Sequence, residues 1–114
     1  MTSTQRNPSE DVLREGLHKA NALAALLQEE LVLLTAGDLD RFEALQSQKA
    51  EILEPLSALL PTLSGEVPIE EAPDVDTTVA LIDDIKEVLA TCRDAHLKNA
   101  ILIDRKIEAT RSAL

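Results

Sequence analysis

The chain has 114 residues, 45% of them hydrophobic but only 1% aromatic, and a formal charge of −10 from 21 acidic and 11 basic side chains. That length suits one domain with a modest core. The acidity argues against phosphate backbones and anionic lipid surfaces as partners. A single cysteine, Cys92, permits no internal disulfide and fits a reducing compartment.

The opening stretch, MTSTQRNPSED, has no apolar run, so no secretory signal is expected. The abundance of Leu and Ala, with 3 Gly and 5 Pro, predicts an all-α fold. The expected architecture is an elongated antiparallel three-helix bundle, or coiled-coil-like hairpin with a longer third helix, forming a single domain over 1–114.

The first helix is expected over about 8–36. Asn7 can cap it, Pro8 suits the first helical position, and Glu10 can reach back toward the cap. Leu13, Leu17, Ala20, Ala24, Leu27, Leu31 and Leu34 then alternate spacings of four and three, which is a coiled-coil-like seam. The run LAALLQEELVLL is interrupted by Gln28, Glu29 and Glu30, so it is not expected to span a bilayer. The expected location is the cytoplasm.

Gly37 should end that helix in a left-handed conformation, and Asp38 should cap the next. The second helix, about 39–63, carries a seam of Phe42, Leu45, Lys49, Ile52, Leu56, Leu59 and Leu63. Lys49 is its polar entry, expected to carry its ammonium to the edge rather than to act as a catalytic amine. Pro55 should kink this helix, and Pro61 falls near its end.

Residues 64–73, with Gly65, Pro68 and Pro73, read as a connector. A third helix over about 74–113, capped by Asp74 or Asp76, would span about 60 Å against about 40 Å for each of the others. Its surplus is expected at the C-terminal end. There His96, Asn99, Ile103 and Ile107 share one face, while Leu97 and Ile101 share the opposite one. Charge changes along this helix too. Residues 66–94 carry nine acids against Lys86 and Arg93, whereas from 95 onward Lys98, Arg105, Lys106 and Arg111 outnumber Asp104 and Glu108. A solvated face with basic residues suiting a helix C-terminus accounts for this without any partner.

The stretch LLQEELVLLTAGDLDRFEALQSQKAEILEPL, together with NAILI around Asn99, resembles the FlgN-like flagellar export chaperones. Those carry a glutamate-containing leucine helix, a short turn with Asp, and a helix with Lys and paired aliphatics. The resemblance covers roughly residues 13 to 110. It implies an ATP-independent cytoplasmic chaperone of type III flagellar export. Such a chaperone keeps hook-associated, or hook–filament junction, proteins unpolymerised before secretion. It holds their disordered C-terminal segments through its own C-terminal helical region, and the export apparatus is a further expected partner. The family's chains usually continue past the point where this one stops, so part of the binding region is expected beyond residue 114.

An apolar second face on an overhanging helix suits an amphipathic partner segment. The expected contact residues are Leu97, Ile101, Leu102, Ile103 and Ile107, with Lys98 and Arg105 as rim charges steering an acidic client segment. The same face could instead join copies of the chain in a structural coiled coil, or be covered by the chain's own core. Other chemistry finds little support. Glu15 and His18 match one half of a di-iron helix motif, which needs two copies and two more glutamates. Cys92 and His96 are one turn apart but lack further metal ligands or a third catalytic group. Three isolated glycines make no phosphate loop. No catalytic residue, metal site or cofactor is expected, and the chain does not read as an enzyme.

Overall fold

The structure, a computed structural model, describes residues 8–65 and 75–113, and the side-chain surroundings of 10–65 and 76–109. Three helices make up its regular structure: α1 (Pro8–Ala36), α2 (Leu39–Leu63) and α3 (Val75–Ala113). The expected caps Asn7 and Asp74, and the connector beyond Gly65, lie outside the described residues. Asp76 falls within the first turn of α3 rather than before it.

The α1–α2 reversal is built by one glycine and one aspartate. Gly37 adopts φ 76°, where a side chain would be strained. Asp38 N–H then donates to Leu33 O at 2.9 Å and Gly37 N–H to Leu34 O at 3.2 Å, satisfying the last carbonyls of α1 in a Schellman arrangement. The Asp38 carboxylate in turn accepts from Arg41 N–H and caps α2. The helix α2 continues through both Pro55 and Pro61.

Helix α1 lies against both α2 and α3. The molecule measures 66 × 25 × 17 Å. Far from the turn, Leu13 of α1, Leu59 and Leu63 of α2, and Leu81, Ile82 and Ile85 of α3 form one buried cluster. Gly16 belongs to this packing, because a Cβ there would run into the Leu59 side chain. A second cluster above it joins Ala20, Leu23, Leu27, Leu56 and Cys92. The Cys92 thiol donates to Ala20 O, and burial pushes its pKa up, which keeps it protonated and unreactive.

The third helix does not overhang at one end. Cys92 meets Ala20 and Asn99 meets Leu27, each pair 72 residues apart. At that constant offset Ala36 comes roughly level with Glu108, and Pro8 roughly level with Ala80. The extra length of α3 is therefore shared between its two ends, and residues 97–107 run beside α1 and the turn instead of past them.

Candidate partner-binding site

Above the second cluster the three helices are tied by polar groups. Glu30 is 1% exposed, although it sits in an otherwise aliphatic stretch of α1. Its Oε2 accepts from Gln46 Nε2 at 2.8 Å and Lys49 Nζ at 3.1 Å, and its Oε1 from Asn99 Nδ2 at 3.1 Å. Asn99, also buried, donates a second bond to Leu27 O at 3.0 Å. Lys49 lies 3.3 Å from His96 Nδ1, which links α2 to α3. Burial raises the Glu30 pKa, but the bonds from Gln46, Asn99 and Lys49 and the Lys49 charge outweigh it and hold the carboxyl below its ordinary value. Lys49 does not run to the solvent edge, because a buried carboxylate lies directly in its path and its side chain is only 14% exposed.

Beyond this polar hub, toward the turn, the bundle opens. Leu34 and Gly37, Leu39 and Phe42 of α2, and Ile103, Lys106, Ile107 and Ala109 of α3 line a groove of about 640 Å³. That is the size range of small-molecule and anchor-residue sites. Turn geometry creates it. The α1 helix has ended, Gly37 contributes no side chain, and Gln46 and Asn99 spend their amides on the hub instead of covering the gap. Leu39 is left 58% exposed and Ile107 46%.

The seven residues expected at the contact fall on different sides of α3. Ile103 and Ile107 line the groove. Leu97 and Ile101 point away from it, 60% and 47% exposed, and form a separate pair one turn apart. Leu102 is half-buried, and Arg105 is exposed without lining the groove. Lys98 borders a smaller hollow on the other flank of α1, with Leu27, Leu31 and Ala95. Leu34, Leu39 and Phe42 were absent from the expected set. Phe42 reads as a seam residue in the sequence, and Leu39 follows the cap so closely that it resembles a turn residue.

Glu15 and His18 are both exposed, and Glu15 pairs with Lys19 at 3.9 Å. No group of three or more His, Cys, Asp or Glu side chains able to hold a metal ion occurs among the described residues. None of the described helices is long and apolar enough to cross a membrane. No protein-family model, curated protein or solved structure matches the chain.

Proposed function

We propose that this chain is a non-enzymatic holding chaperone of the flagellar export type. It works in the cytoplasm and covers an apolar C-terminal segment of a hook-associated protein until secretion. The observation that carries the reading is the uncovered aliphatic groove at the α1–α2 turn, bordered by Leu39, Phe42, Ile103 and Ile107. Fully covering these four partly exposed side chains would contribute on the order of 5 kcal/mol gross. Ordering a flexible partner subtracts from that. A rigid scaffold supports the reading as well. Glu30 pairs with Gln46 and Lys49 while Leu13 clusters with Leu59 and Leu63, which favours α2 running against α1 in an antiparallel, coiled-coil-like bundle.

Titration with the C-terminal peptide of a hook-associated protein tests this. Saturable binding that weakens at least tenfold in Ile107→Asp is the expected result. Unchanged affinity in that variant removes the groove from the account. The exposed pair Leu97 and Ile101 favours a second reading, a structural subunit that self-associates through the outer face of α3. Light scattering separates the two. A dimer that the peptide leaves intact and that Leu97→Asp/Ile101→Asp dissolves supports the second.

A further inference from the structure

The polar hub leaves one buried atom over. Asn99 is 2% exposed, and its amide nitrogen donates twice to α1, to Leu27 O at 3.0 Å and to Glu30 Oε1 at 3.1 Å. With both hydrogens spent, the oxygen is the outward end of the amide, and it accepts from no donor among the described residues. Native chains seldom leave a buried acceptor unused, because stripping it of water without a new bond is costly. Asn99 also walls the hollow between α1 and α3 that Lys98 borders. That hollow measures about 200 Å³, more than a single water needs.

Its lining selects the guest. Leu27, Leu31 and Ala95 give aliphatic walls, and Thr91, Asp94 and Lys98 a polar rim. The Thr91 hydroxyl already donates to Glu87 O at 3.3 Å, so like Asn99 it offers lone pairs. Asp94 and Lys98 stand one turn apart with opposite charges, and Asp94 has only an exposed, screened contact with Arg93 at 3.8 Å. The two rim charges offset one another, which favours a neutral guest. A carboxylate would set oxygen against Asn99 Oδ1, and an ammonium would confront Lys98. We propose that the hollow binds a primary carboxamide, the side chain of a glutamine or asparagine on a partner protein. Its N–H donates to Asn99 Oδ1, its carbonyl accepts from Lys98, and its methylenes lie against Leu31 and Ala95. The partner as source of the amide rests on the partner-holding reading, whereas the preference for an amide rests on the hollow alone.

The test titrates the isotope-labelled chain with propionamide, propionate and propylammonium, three probes of similar shape, followed by nuclear magnetic resonance. Propionamide should move the Asn99 side-chain and Lys98 signals saturably, with a midpoint on the order of 10 mM. The two charged probes should bind roughly tenfold more weakly. Lys98→Met, at an exposed position, should weaken propionamide about threefold. Asn99→Leu should abolish its binding, with circular dichroism checking that each variant is folded. Where Asn99→Leu does not fold, the probe ranking and Lys98→Met decide. Equal response to the three probes, shifts that never saturate, or an unchanged midpoint in Lys98→Met overturns the proposal. So does a long-lived water at the Asn99 side chain that propionamide leaves in place, which makes the hollow a hydration site only. For the source, an alanine-based helical peptide with one glutamine should displace propionamide, and its norleucine counterpart should not. Failure of the glutamine peptide overturns the assignment to a partner side chain. All these outcomes leave the groove untouched, so the partner-holding reading stands or falls separately, with the Ile107→Asp titration.

Discussion

The two ends of this bundle use the same residue types and reach opposite outcomes. Around Leu13, Leu59, Leu63 and Ile85 the three helices close on one another and bury a shared cluster, although Val12, Leu60 and Val79 stay exposed on its outer faces. Around Leu34, Leu39, Phe42 and Ile107 the same three helices leave a gap. Leucine content does not separate them. At the closed end α3 presents the adjacent pair Leu81 and Ile82, followed by Ile85, Val88 and Leu89, so it can fill space toward both neighbours. At the open end the corresponding pair Leu102 and Ile103 is only half-buried, and beyond it the stripe thins to Ile107 and Ala109. Closure requires a stripe wide enough for two partners, and only one end has it.

The contrast can be broken most forcefully at the hub that divides the two ends. Glu30→Ala would leave Lys49 and Asn99 without their shared acceptor, at a cost of about 3–5 kcal/mol in urea unfolding. Replacing Glu30, Lys49 and Asn99 together by leucine should recover most of that, which would show the hub to be a device for alignment more than for stability. Next in size, Ile85→Ala at the closed end should cost about 2–4 kcal/mol, whereas Ile107→Ala at the open end should cost about 1 kcal/mol or less. Equal losses would mean that the groove is filled in solution.

A smaller effect follows from pH. Because Glu30 is held below its ordinary value, its contribution is fully present above the unfolded value near 4.5 and drains away as the pH falls through the folded one. Below pH 4.5 the native chain should therefore lose stability more steeply than Glu30→Gln, measured by thermal unfolding across the acid range. The smallest effect belongs to the groove surface itself. Ile107→Asp should cost about 1 kcal/mol, no less than Ile107→Ala, while weakening peptide binding at least tenfold.

Much of this was legible in the residues. Gly37 and Asp38 announce the reversal because left-handed backbone and helix capping are local demands. Periodicity alone places Leu13, Ala20, Leu27 and Leu34 inside, whereas Leu23, Leu26 and Glu30, outside the expected seam, are buried more deeply than its Leu17, Ala24 and Leu31. Glu30 was missed because it looked like a polar break in an aliphatic run. A signal was present, since Glu30 lies seven residues after Leu23 and so falls on the flank of α1 that meets α2, where Lys49 stood out as the odd seam entry. The role of Gly16 is not legible in its neighbours, because close approach to Leu59 depends on a residue far away in the chain. The overhang of α3 was an error of registry. Helix lengths fix how much is left over, but the Cys92–Ala20 and Asn99–Leu27 contacts decide where it goes.

Those contacts have a kinetic corollary. A seven-residue slip of α3 would bring Cys92 or Lys106 into the slot of Asn99 and strand an amide that now has two acceptors, so the frame beneath the groove is single-valued. A ligand landing there meets a mould already cast. Variants of that ligand should differ chiefly in how long they stay bound, and little in how fast they arrive.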